Sequence, residues 1–231
     1  MELMLQKISR SKVELFLDCP RCFWLDLKQG VKRPPGFPFT INNAIDYLLK
    51  GEFDVHREKG TRHPVMEKYA IDALPFPHEK LTQWRHNFTG VQFEDKKNDF
   101  LVYGAVDDLW VNPDGEVHVV DYKATGAKEH KIQDAYRRQM EVYQWLLRKN
   151  GLEVSNTGYF VFARVNKDGG FGNGVAALDF DLFIESHTGD DSWVAQALHS
   201  ARATLDMAKA PEATPTCEYC SYRRAAELAI S

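Results

Sequence analysis

Two aspartates and a lysine near one predicted β-hairpin have the side-chain types and the spacing needed for chemistry on a phosphate group. The segment Asn112-Pro113-Asp114-Gly115 has proline at the second turn position and glycine where a left-handed residue is required, which predicts a three-residue hairpin loop. The register of that hairpin puts Asp107 directly opposite Asp121. Lys123 lies two residues beyond Asp121, so its amine is predicted to point to the same face of the strand.

Two opposed carboxylates of this kind need a compensating positive charge. Side chains directly opposite in an antiparallel pair have Cβ atoms about 4.5–5.5 Å apart, and like charges there are destabilising. Asp107 and Asp121 could hold Mg²⁺ or Mn²⁺, which polarises a phosphoryl oxygen and lowers the pKa of a bound water. Lys123 could then orient that water or offset charge in the transition state. The alternative is an exposed hairpin with solvated side chains, but the valines that precede Asp121 favour burial.

The four cysteines form two Cys-x-x-Cys pairs that lie near opposite ends of the sequence. They are Cys19, Cys22, Cys217 and Cys220. Without an export signal, such pairs predict metal ligation rather than disulfides. The spacing alone favours tetrahedral zinc, and four thiolates satisfy a [4Fe–4S] cluster equally well. Either centre would join the two ends of the chain and would be structural rather than redox-active.

The elements that must position these residues are a mixture of helices and strands. Amphipathic helices are predicted from Ser9 or Ser11, after Thr40, and over residues 132–149 and 191–208. Strands are predicted over residues 100–111, 116–123, 157–165 and 175–183, and residues 60–88 carry mixed signals. This order predicts a single α/β domain over residues 1–231, in which residues 1–30 and 211–231 form the four-cysteine part.

Composition excludes several classes of protein. The chain has 231 residues, of which 44% are hydrophobic and 12% aromatic, so it can bury a core and is not a disordered chain. No apolar run is long enough to span a membrane, and the residues after Met1 lack the pattern of a secretion signal, which together predict a cytoplasmic location. The net charge of −4 argues against nucleic-acid binding by bulk basicity and leaves a local basic groove.

Basic residues for such a groove occur in the first 35 residues and again after Asp121. Each of them is also compatible with an ordinary solvated charge. They are Arg10, Lys12, Arg21, Lys128, Lys131, Arg137 and Arg138.

Three short motifs, in order, give the sequence a family resemblance. They are Gly104-Ala105-Val106-Asp107, Val119-Val120-Asp121-Tyr122-Lys123 and Gln139-Met140-Glu141-Val142-Tyr143. These resemble the G-x-x-D, D-x-K and Q-x-x-x-Y motifs of the PD-(D/E)XK nuclease superfamily, and within it those of the RecB-type exonuclease domains. Residues 9–24 resemble the amino-terminal cysteine segment of the iron–sulfur members, including the CRISPR-associated four-cysteine exonucleases. The resemblance implies a restriction-endonuclease-like core, which is a central mixed β-sheet flanked by helices.

The resemblance also implies roles for individual residues. Asp107 and Asp121 would be metal ligands together with the carbonyl of Tyr122, and Lys123 would be the catalytic lysine. Two further residues, one helical turn apart, would position the lysine or the nucleic-acid backbone, with plain core packing as the alternative. These are Gln139 and Tyr143.

The sequence departs from the family pattern at two places. Where many members have a histidine on the first core helix, this chain has Asp46, which could ligate Mg²⁺ or Mn²⁺ or could form a surface pair with Lys50. Glu52 is a further acidic candidate on the same segment. The iron–sulfur members usually place one cysteine early and three late, whereas this chain has two and two, so Cys22 would supply the fourth ligand. The resemblance favours a [4Fe–4S] cluster over zinc.

Together these features predict a metal-dependent DNA nuclease, an exonuclease on single-stranded DNA or duplex ends, with Mg²⁺ or Mn²⁺ at the carboxylates. One alternative is a catalytically weak DNA-binding subunit of a repair, recombination or CRISPR-adaptation complex. Another is a phosphodiesterase directed at RNA or nucleotides. A helicase or a recombination or CRISPR-adaptation protein is the predicted kind of protein partner.

Overall fold

The computed structural model describes residues 5–36, 40–127, 132–167 and 177–230, which form a mixture of helices and strands. The strands are β1 (Gln6–Ser9), β2 (Leu74–Pro75), β3 (Val91–Asp95), β4 (Phe100–Gly104), β5 (Asp108–Val111), β6 (Val117–Thr125), β7 (Thr157–Val165) and β8 (Phe180–Thr188). The helices are α1 (Arg10–Asp18), α2 (Pro20–Gln29), α3 (Thr40–Lys59), α4 (Pro64–Lys68), α5 (Leu81–Trp84), α6 (Asp134–Lys149), α7 (Trp193–Asp206) and α8 (Glu218–Ile230). No described helix is both long and apolar enough to cross a bilayer.

The chain divides into two compact units. The first contains Met1–Phe37, Phe93–Tyr103 and Ser192–Ser231, and the second contains Pro38–Gln92 and Gly104–Asp191. All predicted residues of the carboxylate site belong to the second unit, and all four cysteines belong to the first. The prediction of one domain with an appended four-cysteine part stays a prediction.

The second unit is built around a five-stranded mixed sheet in the order β2-β5-β6-β7-β8. β6 and β7 are parallel and are connected through α6, while the other neighbouring pairs are antiparallel. Alternate side chains of β6 face opposite sides of the sheet. Val120 and Tyr122 pack with residues of α3, whereas Asp121 and Lys123 contact residues of α6. The mixed sheet flanked by helices confirms the predicted α/β class.

The hairpin that sets the register of the site is confirmed. Asp108 pairs with Val120 and Val111 pairs with Val117, as the turn residues predict. Gly115 has a φ of 89° and its N–H donates to the carbonyl of Asn112 over 3.0 Å. The predicted strand over residues 100–111 is in fact two strands, β4 and β5, which are separated at residues 105–107 and belong to different sheets.

The first unit contains α1, α2, α7 and α8, together with most of a three-stranded sheet in the order β1-β4-β3. Ser9 caps α1, since its hydroxyl accepts the N–H of Lys12. The predicted apolar face of the helix within residues 191–208 is confirmed, because four residues of α7 spaced three or four apart are buried. They are Val194, Leu198, Ala201 and Leu205.

Other elements differ from the prediction. The second strand of the late hairpin is Phe180–Thr188, shifted by five residues from the predicted 175–183. Residues 60–88, which give mixed signals in the sequence, contain two short helices and a two-residue strand. α2 was not predicted, and it begins with Pro20, a residue suited to the first helical turn.

Gly90 makes a backbone approach that only glycine allows. Its φ is 56°, and an added Cβ would lie 2.4 Å from the carbonyl oxygen of Gly104. Gly104 opens the segment that ends at Asp107. We expect Gly90→Ala to lower the free energy of unfolding by about 3 kcal/mol or more, because both the backbone conformation and the clash are unfavourable.

The matched control for this prediction is Gly115→Ala. Gly115 also has a positive φ, but an added Cβ would meet no atom within 4 Å. Gly115→Ala should therefore lower the free energy of unfolding only by the cost of the left-handed backbone conformation, about 1–2 kcal/mol. Denaturant unfolding followed by tryptophan fluorescence measures both, and equal losses in the two variants would contradict the close approach at Gly90.

Candidate active site

The carboxylate of Asp121 lies at the centre of a buried polar cluster formed by β6 and α6. Asp121 is 0% exposed. The side-chain amide of Gln139 donates to its Oδ1 over 2.7 Å, and the ammonium of Lys123 pairs with its Oδ2. The same amide donates to the Tyr143 hydroxyl over 3.2 Å. The structure therefore brings four of the predicted site residues together, and Tyr143 is both a core residue and a partner of the cluster.

The amine of Lys123 is held in its charged form. Burial alone would lower its pKa, but the charges of Asp121 and Asp107 outweigh burial and raise the pKa. The amine also lies 4.6 Å from the centroid of the Tyr136 ring, a cation–π contact that favours the ammonium. Lys123 is therefore suited to donate hydrogen bonds to a developing negative charge.

Asp107 approaches this cluster from the bend between β4 and β5. Its Oδ2 accepts the backbone N–H of Tyr122 over 3.0 Å, and its Oδ1 accepts the amine of Lys50 over 3.3 Å. The β5–β6 ladder begins at Asp108, so Asp107 lies one residue beyond its end rather than within it. The carboxylate of Asp107 therefore contacts the backbone of β6 at the residue that follows Asp121.

Asp46 and Lys50 form the pair that their spacing on α3 predicts. The amine of Lys50 donates to Asp46 Oδ2 over 2.7 Å, and the same amine reaches Asp107. Burial and the charge of Asp107 raise the pKa of Asp46, although the Lys50 ammonium opposes them. The predicted pair between Asp46 and Lys50 is therefore formed, but it lies at the candidate site because Lys50 also contacts Asp107. A ligand role for Asp46 stays a prediction.

The donor set fits a divalent cation of the Mg²⁺ or Mn²⁺ type by its chemistry, because such ions prefer carboxylate and carbonyl oxygens. Asp121 presents its carboxylate from β6, and the carboxylate of Asp107 reaches the next residue of that strand from the bend before β5. An ammonium group pairs with each of the two carboxylates. Lys50 bonds to Asp107, and Lys123 pairs with Asp121. Among the described residues, the cysteines form the one group of three or more acidic, histidine or cysteine side chains that is close enough to share an ion.

A buried network next to the site was missed by sequence reasoning. Asp108 is 0% exposed and accepts the Tyr122 hydroxyl over 2.6 Å. It also pairs with two guanidinium groups, those of Arg57 and Arg85. Burial raises the pKa of Asp108, and the two arginines oppose that shift. The sequence does carry a signal for this network. Side chains alternate along a strand, and a charged residue such as Asp108 on the apolar face requires buried partners.

The four cysteines converge at the beginnings of two helices in the first unit. Cys19 and Cys22 bracket the start of α2, and Cys217 and Cys220 bracket the start of α8. Their sulfur atoms all lie within 4.8 Å of one another, with 3.4 Å between Cys22 and Cys220 and 3.9 Å between Cys19 and Cys220. The prediction that the four cysteines come together, close enough to share one metal ion, and join the two ends of the chain is confirmed.

The electrostatics of the cysteine cluster favour the thiolate form of Cys19 over that of Cys22 or Cys220. Burial alone would raise the pKa of Cys19, but hydrogen bonds to its sulfur, including those from the backbones of Cys22 and Thr214, lower the pKa to about 6. Burial raises the pKa of Cys22 and Cys220. Additional thiolates in so small a space need a cation, and a bound metal ion is what deprotonates grouped cysteines.

Arg33 is a further residue at this centre that the sequence did not reveal. Its guanidinium donates to Cys217 Sγ over 3.3 Å, pairs with Asp18 over 2.5 Å and stacks 4.5 Å from the centroid of the Tyr219 ring. These contacts place a fixed positive charge against the sulfur of Cys217 within the cluster.

The remaining predicted residues have mixed surroundings. A carboxylate oxygen of Glu52 lies 2.9 Å from Nε2 of His63. Of the proposed basic groove, Lys12 pairs with Asp26 over 2.5 Å. Arg137 pairs with Asp134 over 3.2 Å. Lys128 and Lys131 lie outside the described residues. A continuous groove therefore stays a prediction.

Comparison with known proteins identifies the family. A family model of the PD-(D/E)XK nuclease superfamily matches residues 41–225, which include every predicted residue of the carboxylate site. No curated protein sequence matches the chain significantly. Among solved structures, one described as the crystal structure of SSO0001 aligns with a TM-score of 0.42 and 12% sequence identity, covering 95% of this chain and 85% of that chain.

Proposed function

The chain belongs to the PD-(D/E)XK nuclease superfamily, and on that premise we propose that it is a metal-dependent DNA exonuclease that acts on single strands or duplex ends. The supporting observation is the buried Asp121 carboxylate, held by Gln139 and Lys123, with Asp107 at the adjoining bend. A buried ion pair contributes little to stability compared with well-packed apolar residues. A purely structural explanation of this cluster is therefore weak, whereas metal-dependent phosphodiester cleavage uses carboxylates and an ammonium group of this kind.

The residues of the cluster have distinct roles in this proposal. Asp107 and Asp121 hold the divalent ion with the carbonyl of Tyr122, and Asp46 is a further candidate ligand. When bound, the ion polarises the scissile phosphate and lowers the pKa of a water molecule. Lys123 donates its ammonium N–H groups to the charge that develops on the phosphate oxygens.

Gln139 and Tyr143 position these groups rather than reacting themselves. The amide of Gln139 fixes one oxygen of Asp121, which leaves the other oxygen facing Lys123. The hydroxyl of Tyr143 in turn bonds to that amide. The chain of contacts holds the carboxylate and the lysine in one geometry before substrate arrives, which is the condition for electrostatic catalysis.

A degradation assay tests the proposed activity and its substrate. Labelled single-stranded DNA, duplex DNA and RNA of one sequence are incubated with Mg²⁺, Mn²⁺ or EDTA, beside circular single-stranded DNA. An exonuclease should degrade the linear DNA in the presence of metal and leave the circle intact. Cleavage of the circle would identify an endonuclease, and faster cleavage of RNA than of DNA would identify RNA as the preferred substrate. Binding of DNA without cleavage would favour the alternative of a DNA-binding subunit.

We further propose that the cysteine centre holds a single structural ion, zinc. A tetrahedral ion with Zn–S bonds of about 2.3 Å separates its sulfurs by about 3.8 Å. In a [4Fe–4S] cluster each thiolate binds a different iron, so the body of the cluster lies between the sulfurs and separates them further. The spacing within 4.8 Å supports zinc over the cluster that the resemblance implies. Elemental analysis and absorbance near 400 nm distinguish the two.

A helicase or a recombination or CRISPR-adaptation protein as partner remains a prediction that rests on the resemblance alone. Affinity purification of the chain from its native host tests it.

A further inference from the structure

Arg85 makes an unusual set of contacts beside the candidate active site. Its Nε donates to the backbone carbonyl of Asp107 over 2.9 Å. One terminal nitrogen donates to both oxygens of Asp54 over 2.9 and 2.8 Å, and the other donates to Asp108 Oδ1 over 3.0 Å. Its side chain is 14% exposed. All three guanidinium nitrogens are therefore used, in the planar geometry that lysine cannot reproduce.

The backbone of Asp107 needs such support because it lies outside the sheet ladder. The pairing of β5 with β6 begins at Asp108, so the ladder does not orient the carbonyl of Asp107. The bend is instead anchored by two neighbouring residues of another segment. Trp84 accepts the N–H of Val106 over 3.1 Å, and Arg85 binds the carbonyl that follows.

Arg85 also connects this bend to α3. Asp54 lies on α3, the helix that carries Asp46 and Lys50. The bidentate contact from Arg85 to Asp54 therefore ties the helix with the Asp46–Lys50 pair to the bend with Asp107. A displaced bend would move the Asp107 carboxylate away from the backbone N–H of Tyr122, which it accepts over 3.0 Å.

We propose that Arg85 is a positioning residue, which fixes the bend at Asp107 and thereby sets the affinity of the active site for its divalent ion. The inference rests on the proposed function, since it assumes that Asp107 is a metal ligand. Groups that orient metal ligands without touching the metal typically change metal affinity 10–100-fold when they are replaced.

Arg57 provides a matched control, because it shares two of the partners of Arg85. It pairs with Asp54 and with Asp108, and its side chain is 10% exposed. Its Nε, however, donates to the carbonyl of Phe76 over 2.9 Å rather than to the carbonyl of Asp107. The two arginines thus contribute similarly to the buried network and differ in their contact with the bend.

The experiment compares Arg85→Lys with Arg57→Lys in Mn²⁺ binding, measured by electron paramagnetic resonance without substrate. Arg85→Lys should weaken Mn²⁺ binding about 10-fold or more, and Arg57→Lys should change it less than about 2-fold. Both should lower the melting temperature. In cleavage, Arg85→Lys should raise the Mn²⁺ concentration at half-maximal rate and leave the KM for DNA unchanged.

Unchanged Mn²⁺ affinity in Arg85→Lys, or equal weakening in both variants, would overturn the positioning role. Asp107→Asn serves as the reference for the proposed function. If wild-type protein binds no Mn²⁺, or binds it as well after Asp107→Asn, the ligand role of Asp107 fails and the inference fails with it. If Arg85→Lys does not fold, Asp54→Asn removes the bidentate anchor from a side chain that is 42% exposed, and it should weaken Mn²⁺ binding more than Arg57→Lys does.

Discussion

Asp121→Asn and Lys123→Gln should each reduce the rate of DNA cleavage by at least about 10²–10³-fold, the loss expected when one preorganised electrostatic group is removed. Asp121→Asn keeps the size of the side chain and one oxygen for Gln139, so the change removes charge rather than shape. Lys123→Gln removes the ammonium that pairs with Asp121 and lies over the ring of Tyr136. Affinity for DNA should survive in Lys123→Gln, because a binding groove makes many backbone contacts.

Replacing Asp121 or Lys123 also destabilises the fold, so the measurement must separate the loss of catalysis from the loss of stability. Removing one member of a buried ion pair leaves the other charge uncompensated, which costs about 3–5 kcal/mol. The double variant Asp121→Asn/Lys123→Gln removes both charges and should recover much of the melting temperature while remaining inactive. A folded double variant without activity would assign the loss to chemistry.

Asp114→Asn is the matched control for the aspartate. Asp114 lies in the turn of the same hairpin and is exposed, so its replacement should leave both rate and stability unchanged. The measurement is single-turnover cleavage of end-labelled DNA at saturating Mn²⁺, together with thermal unfolding of each variant. Cleavage by folded Asp121→Asn or Lys123→Gln at close to the wild-type rate would rule out these residues as the catalytic centre.

The hairpin could be predicted in detail because its information is local. Pro113 and Gly115 define the turn, and the turn defines the register of β5 against β6. Side chains alternate along a strand, so Asp121 and Lys123 share one face of β6. α6 could be predicted for a similar reason, since the separation of Gln139 and Tyr143 is one helical turn. The cysteine pairs carry their own signal in their spacing. In each case the signal that allows the prediction lies in residues that are close together in sequence.

Features that depend on distant segments could not be predicted. The bend at Asp107 interrupts the strand because Trp84 and Arg85, which lie more than twenty residues earlier, bind its backbone. The residues next to Asp107 in sequence do not predict Trp84 and Arg85 as its partners. The Asp46–Lys50 pair was predicted as a local contact, but its approach to Asp107 depends on how α3 packs against β6. Tertiary packing, rather than propensity, decides these positions.

Replacing any one of the four cysteines by serine should lower the melting temperature by about 10 °C or more and release the bound metal. Cys22 and Cys217 are separated by 195 residues in sequence. A cross-link that closes so long a loop removes about 5 kcal/mol of unfolded-state entropy in the simplest model. For a chain of this size, 1 kcal/mol corresponds to roughly 2–4 °C in melting temperature. Binding of the ion adds to the effect, because the assembled site exists only in the folded chain.

Ser221→Ala is the control for these variants, since Ser221 directly follows Cys220, is exposed and is not one of the four clustered cysteines. Metal content and thermal unfolding are measured on protein purified without oxygen. We expect one zinc per chain in colourless wild-type protein, less than stoichiometric zinc in each Cys→Ser variant, and wild-type behaviour in Ser221→Ala. Brown protein with about four irons per chain would show that the centre is a [4Fe–4S] cluster rather than zinc. The conclusion that the centre links the two ends of the chain would still hold. The link itself would be contradicted if folded protein held neither metal, its four thiols reacted freely and the variants had an unchanged melting temperature. These outcomes test the first unit separately from the cleavage chemistry, because all four cysteines lie outside the unit that carries Asp121 and Lys123.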